Sequence, residues 1–241
     1  MLLPLRLVSL SPPQSPPAPR PPQAFGADII LPLDELPPLG VSRERLAHSV
    51  ALSHRWMDRS LREHLSSPNG QAMYAIIHGG TDADLRYESI DFAQARSFDG
   101  YAIGGSLGKD RAEMLGVLDV VMPRLPSDRP THLLGIADPE SVPGVVARGV
   151  DTFDSCYPTR VARHGNLMTT RGMLKLTQTS HSADFGPIDA ECPSIPHSRA
   201  YLHHLLKAKE PLYFSLASLH NLIFMNTTMR RVREKILRDE I

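Results

Sequence analysis

The chain has 241 residues, 41% of them hydrophobic and 22% charged, which is enough apolar mass for one substantial core and excludes general disorder. Lys plus Arg and Asp plus Glu number 26 each, so no overall field draws the chain onto nucleic acid or an anionic membrane, and any RNA contact must come from a local patch. Two cysteines, Cys156 and Cys192, are too few for a disulfide scaffold, and no apolar run reaches the roughly 18 to 20 residues of a bilayer span, so the expectation is a soluble, cytoplasmic protein without a membrane partner.

The segment 1–25, MLLPLRLVSLSPPQSPPAPRPPQAF, repeats proline and contains no acid. Proline removes an amide donor and fixes φ, so this stretch reads as a disordered leader or a mis-assigned start. Its lack of acids permits an organelle-targeting reading, but the prolines break the amphipathic helix that such peptides form. From Asp28 onward, short apolar runs ending in glycine or acid alternate with polar stretches of helical period, which is βα alternation. The runs DIILPLD (28–34), YAIIHGG (74–80), GYAIGG (100–105), HLLGIAD (132–138) and DTFDSC (151–156) predict five parallel strands. A long helix opens at Ser42 as N-cap, with Leu46, Val50, Trp56 and Leu61 on one face, and shorter helices fill 82–96, 110–122 and 139–148. After Cys156 the alternation stops. GNLMTTRGMLKLT reads as a hairpin turning at Arg171 and Gly172, and helices are predicted over 198–209 and 216–239.

The strand runs finish on Asp34, on His78 with Gly79, on Gly104 with Gly105, on Asp138, and on Asp154 with Ser155. In a (β/α) barrel the active site is built at the C-terminal ends of the strands, which gives this clustering a mechanical reason. Five units do not close eight strands. The fold expectation is therefore α/β, of (β/α)8 TIM-barrel type and incomplete at the N-terminus. The partial barrel covers 26–164, and a hairpin and helices cover 165–241.

The run FDSCYPTRVARHG at 153–165 resembles the signature of the tRNA-guanine transglycosylase family, in which an FD pair is followed by PTR, a second basic residue and a glycine. The likeness continues in family order through GADIILPLDE (26–35), AIIHGG (75–80), FDGYAIGGSLGK (98–109), HLLGI (132–136), GPIDAEC (186–192), SRAYLHHL (198–205) and LHN (219–221). The IIHGGT and IGGSLGK variants resemble the chlamydial-type branch. The resemblance implies exchange of guanine in tRNA for a queuine-type base. It gives Asp154 the role of a carboxylate nucleophile that holds the ribose covalently and so splits the exchange into two steps. It also assigns Asp34 to the purine's Watson–Crick edge, His78 to a purine acceptor, Gly104 and Gly105 to the backbone approaching the base, and Leu134 to the base plane. Each has a plainer explanation: a loop acid at Asp34, a turn cap at Asp154, a polar turn residue at His78, a tight turn at the glycines and a core leucine. Arg160, Arg163 and His164, just after Asp154 in sequence, are candidates for RNA contacts, against the alternative of ordinary solvated charges; the basic run RRVREK at 230–235 reads as an exposed helix face.

Two family features do not match. The family's structural zinc site has the form C-x-C-x-x-C with a later HN histidine, and here only Cys192 and His220 match it, with His197 the sole additional ordinary ligand in the shortened segment. A tetrahedral structural site needs four ligands, so zinc is expected to be lost and no organic cofactor is implied. Second, the general acid/base aspartate that precedes the matched block in the family has no counterpart in the proline-rich segment. This leaves open a non-catalytic tRNA-binding subunit, or an inactive truncated fragment, as the alternative to the transferase. A sugar hydrolase pairing Asp154 with Asp34 is a third class. The partners implied are tRNA, guanine and queuine-type bases, with a homodimer or a heterodimer of related subunits.

Overall fold

A computed structural model describes residues 26–66 and 70–241; the leader expectation falls outside the described residues. The described chain divides into two compact units: one runs up to Gly135 and resumes at Gly144–Asp154, while Ile136–Pro143 and Ser155–Ile241 form the other.

The first unit is built on a five-stranded sheet in the order β1-β2-β3-β4-β5, from β1 (Ile29–Ile30), β2 (Ala72–Ile77), β3 (Gly100–Ile103), β4 (Thr131–Leu133) and β5 (Thr152–Phe153). Every pairing is parallel, with Ile30 opposite Met73, Ile76 opposite Ala102, Ala102 opposite His132, and Leu133 opposite Phe153. This is the α/β arrangement expected of an incomplete (β/α)8 barrel. Acidic residues just before the strands set the register. Asp99 accepts from Met73 N–H at 2.8 Å and Asp151 from Thr131 N–H at 2.7 Å, each pinning the start of a neighbouring strand. The strands are largely apolar, with Ala75, Ile77, Ala102, Ile103 and Leu133 fully buried, and β4 also buries Thr131 and His132.

Helices α1 (Arg43–Ser66), α2 (Ala83–Gln94) and α3 (Arg111–Val121) follow β1, β2 and β3. Ser42 caps α1 as expected, accepting from Arg45 N–H at 3.3 Å, and Asp82 and Asp110 cap α2 and α3. The α1 stripe differs from the expected one. Val50 and Leu61 are buried, Leu46 and Trp56 are only half-buried, and Met57 takes the inward place beside Ser53 and His54. α4 (Val142–Val146) is the short helix expected after β4.

In the second unit, β6 (Asn166–Thr169) and β7 (Gly172–Lys175) form the expected antiparallel hairpin, and α6 (Arg199–Lys207) and α7 (Pro211–Ile236) the expected helices. The turn falls at Thr170 and Arg171, one residue earlier than read from the sequence, because Gly172 already pairs with Thr169. α7 begins at Pro211 rather than 216, since proline at the first helical position forfeits only an amide that would be unpaired anyway. A further helix, α5 (Tyr157–Arg163), occupies residues to which the sequence pattern assigned no element. Leu167, Leu176, Ile188, Leu202, Tyr213 and Ala217 make this unit's core. Buried Asn221 of the LHN block staples it. Its Oδ1 accepts from Met168 N–H at 2.9 Å, and its Nδ2 donates to Pro158 O and Asn166 O.

Candidate active site

The C-terminal ends of the five strands form a continuous run of contacts. Asp34, beyond β1, is placed by α1: Ser53 Oγ accepts from Glu35 N–H at 2.9 Å, Ser49 Oγ donates to Glu35 O at 2.7 Å, and Arg45 pairs with the Glu35 carboxylate. His78, at the end of β2, has its Nε2 3.6 Å from Asp34 Oδ2, outside hydrogen-bond range. A methyl group added at Gly105 would lie 3.5 Å from His78 Nδ1, and one added at Gly104 would lie 3.0 Å from Leu134 Cδ1 and 2.6 Å from Ile76 Cγ2. These two glycines therefore keep the surface open where three strand ends meet. Gly135, next to Leu134, donates its N–H to Asp154 Oδ1 at 3.0 Å.

The acids at the two ends of this run are tuned in opposite directions. Burial pushes the Asp34 carboxyl up, its own backbone N–H only partly opposes that, and the neighbouring Glu35 charge adds to the rise. Burial also raises Asp154, but hydrogen bonds from His132 Nε2 at 3.1 Å and from Gly135 N–H outweigh it and hold the carboxyl below its ordinary value. Both bonds fall on Oδ1. His132 Nδ1 lies 2.9 Å from Thr152 Oγ1. The tautomer donating from Nε2 accepts the threonine hydroxyl at Nδ1, so the ring is held from both sides.

His78 and Asp34 are not an ion pair. Burial, then the Arg86 charge, then His54 pull the imidazole down to about 3, with Glu35 opposing, so it is neutral at physiological pH. Its backbone N–H donates to Ser89 Oγ at 2.9 Å, leaving that hydroxyl's proton for His54 Nε2 at 3.2 Å. His78 Nε2 is buried and has no hydrogen-bond partner, a state that buried polar atoms rarely keep without a ligand or water.

The strand-end candidates Asp34, His78, Gly104, Gly105, Leu134 and Asp154 thus all lie in the first unit, while Asp138 accepts from Ser141 N–H as a turn cap. Arg160, Arg163 and His164 lie in the second, exposed on the last turn and C-cap of α5. Spacings of three and four residues put them on one helix face. Arg160 lies over the Tyr157 ring, and His164 Nδ1 is 2.7 Å from Arg160 O. His132 and Arg86 are site residues the sequence reading passed over. The available signals were a histidine inside an apolar strand run and an arginine among the inward positions of α2.

The residues named as zinc ligands by resemblance are engaged elsewhere or stand alone. His220 Nε2 donates to Met168 O at 2.8 Å, and its Nδ1 is in close contact with Ser194 Oγ, so the lone pair a metal would use accepts a hydroxyl instead. Cys192 is buried and free, and His197 packs its ring on Tyr201. Among the described residues no group of three or more His, Cys, Asp or Glu side chains is placed to hold a metal ion. These residues do not fit a four-coordinate zinc.

A family model described as queuine tRNA-ribosyltransferase matches residues 21–241. The chain belongs to that family. Similar curated proteins include the queuine tRNA-ribosyltransferases of Protochlamydia amoebophila, 49% identical over 90% of this chain and 57% of the relative, and Chlamydia caviae, 44% identical over 90% and 59%. That of Chlamydia trachomatis serovar L2 is 45% identical over 90% and 59%. The chlamydial character read from the glycine-rich block agrees with these relatives, and the chain spans less than three fifths of their length. No helix among the described residues is long and apolar enough to cross a membrane.

Proposed function

We propose that this chain carries the ribose-attacking and base-recognising portion of a tRNA base-exchange transferase, which replaces guanine at the wobble position by queuine or a precursor. The observation that carries the reading is the oppositely tuned pair of acids at the two ends of a contiguous run of strand ends. Asp154 is kept anionic by His132 and Gly135 through Oδ1, and Oδ2 is the oxygen presented to ribose C1′. The new C1′–O bond forms as the C1′–N9 bond breaks, and the electron pair stays with the purine. The purine leaves protonated; the resemblance places its proton donor upstream of the matched block, and no residue of this chain matches it. Attack of the incoming base on the ribosyl-aspartate reverses the sequence and frees the carboxylate.

Recognition follows from complementary groups. Guanine offers two donors, N1–H and the exocyclic amine, to a carboxylate such as Asp34, and its ring acceptors suit the unpartnered His78 Nε2 in its protonated tautomer. Gly104, Gly105 and Leu134 supply the close, flat approach. Arg160, Arg163 and His164 are assigned to the tRNA backbone or bases near the exchanged nucleotide, and the assembly to a dimer, either of like chains or with a related subunit.

The test is covalent trapping. The chain joined to the N-terminal portion of a chlamydial relative, incubated with tRNA, should give a protein–RNA adduct that survives a denaturing gel and is absent in Asp154→Asn. Asp34→Asn should instead weaken guanine recognition, because an amide presents one acceptor and one donor where the base offers two donors. Equal guanine exchange by wild type and Asp154→Asn refutes the nucleophile. Tight tRNA binding with no exchange in either would favour the non-catalytic subunit.

A further inference from the structure

Arg86 lies in α2 and is 1% exposed, and no carboxylate pairs with it among the described residues. Its guanidinium instead donates to four backbone carbonyls: Nε to Gly80 O at 2.8 Å, Nη1 to Ile77 O at 2.6 Å and Gly104 O at 2.8 Å, and Nη2 to Ser106 O at 3.1 Å. These carbonyls belong to the last residue of β2 and to the segments after β2 and β3, those that hold His78 and the glycine pair. Burial pulls the guanidinium down to about 9, so it remains charged at neutral pH. An unpaired buried cation is a costly way to fill space, and an apolar residue of similar volume would fill it more cheaply. What the planar fork adds is direction: it fixes four carbonyls in two chain segments at once.

A trans peptide is planar, with its C=O and N–H pointing in opposite directions. Drawing the Gly104 and Ser106 carbonyls onto Arg86 therefore turns the N–H groups of Gly105 and Leu107 away from it. Neither N–H meets an acceptor among the described residues. The same cation contributes to keeping His78 neutral, so that its ring can donate or accept.

We propose that Arg86 is the positioning residue of the purine subsite: by holding the Gly104 and Ser106 carbonyls it presents the Gly105 N–H as a fixed donor, and so sets selectivity for a purine bearing an oxo group at position 6. This rests on the assignment of Asp34, His78 and the glycine pair to the base. Arg86 acts through the backbone and does not touch the ligand.

Two free bases separate this role from general support of the fold. Guanine and 6-thioguanine share the N1–H and amine edge, but sulfur is a weak acceptor where guanine has oxygen. Binding of each is measured by calorimetry on the 241-residue chain for wild type, Arg86→Lys, Arg86→Met and Asp34→Asn. Arg86→Lys keeps the charge but cannot hold four carbonyls, and is the variant to rely on if Arg86→Met does not fold. In Arg86→Lys, guanine affinity should fall about tenfold, the worth of one well-placed hydrogen bond, and 6-thioguanine less than about threefold. Amide exchange over 104–107 should quicken in the ligand-free protein. A folded Arg86→Lys that weakens both bases equally, or neither, overturns the proposal. Asp34→Asn should weaken both bases. If it binds both like wild type, the subsite assignment itself falls, and the Arg86 proposal with it; if it weakens both while Arg86→Lys changes nothing, only Arg86 is refuted.

Discussion

Replacing His132 by phenylalanine isolates what keeps Asp154 ionised. His132 is 1% exposed, and the aromatic ring fills most of the same space, so the change chiefly deletes two polar contacts. The loss on the Thr152 side is slight, because that residue is exposed and water can take its hydroxyl. The loss on the Asp154 side is large, since a hydrogen bond to a charged carboxylate contributes about 1.5–3 kcal/mol. His132→Phe should therefore be less stable than wild type by about 1.5–3 kcal/mol near pH 7. Burial is the largest influence on Asp154 and acts upward, so with only Gly135 and its own amide opposing it the carboxyl must titrate higher in the variant.

The sign of the pH dependence follows. In wild type the folded-state pKa of Asp154 lies below its unfolded value, so its contribution to stability is fully present above the unfolded pKa. That contribution is lost as pH falls through the folded one. The stability gap between wild type and His132→Phe should be widest at neutral pH and narrow in acid, as Asp154 becomes protonated in both. Urea unfolding at several pH values measures the gap, and carbon-13 titration of labelled aspartate, with Asp154→Asn identifying the resonance, measures the carboxyl directly. An unmoved Asp154 titration in a folded His132→Phe protein would show that the imidazole does not hold the anion, and the reasoning would fail.

Three further outcomes test other parts of the structure. Gly79 has φ +138°, and a methyl group there would lie 2.5 Å from Arg86 N and 2.8 Å from Leu85 C, backbone atoms of α2 that cannot turn aside. Gly79→Ala should cost more than about 2 kcal/mol in urea unfolding, and a loss within experimental scatter would contradict the packing of β2 on α2. Reversing charge at both Arg160 and Arg163 should weaken tRNA binding and flatten its salt dependence, whereas undiminished binding at low salt would remove α5 from the RNA surface. Elemental analysis of purified protein should find well under one equivalent of zinc, unchanged in Cys192→Ser; stoichiometric zinc lost with Cys192 would show that His220 can release Ser194 to a metal.

The parallel sheet was legible because fully buried strands advertise themselves as apolar runs, and the strand-end acids and glycines could be read off the ends of those runs. Strand length was less legible. The run at 28–34 pairs only at Ile29 and Ile30, since Pro32 offers no amide to a ladder. α5 was missed because Pro158 and the basic residues after it look like a loop, although a proline in the first turn is an ordinary helix opening. The polar supports were hidden for a different reason. His132, Arg86, Ser49 and Ser53 lie at inward positions of otherwise apolar or amphipathic patterns, and their partners are 14 or more residues away or are backbone carbonyls of other loops. Periodicity shows which way a residue faces and says nothing about what it meets there. The zinc ligands were doubted from spacing alone, but that His220 spends both nitrogens on Ser194 and Met168 could only come from coordinates.

The sheet order also bears on the choice between base exchange and sugar hydrolysis. Asp34 follows β1 and Asp154 follows β5, so the two acids belong to opposite ends of the sheet order. A glycoside hydrolase asks only that two carboxylates flank one bond. Here the intervening strand ends contribute a neutral imidazole with an unpartnered nitrogen, a stretch of open glycine backbone and a half-buried leucine. Those groups suit a flat heterocycle lying along the strand ends, with its donor edge at Asp34 and its sugar at Asp154. The carboxyl raised by burial is then the one whose anion two bound donors would stabilise, and the carboxyl held low is the one required as a free anion at C1′ in the proposed reaction. Exchanging the two environments would put the carboxyl raised by burial at C1′ and the one already holding two hydrogen bonds at the base edge, so the tuning favours the proposed orientation over its reverse.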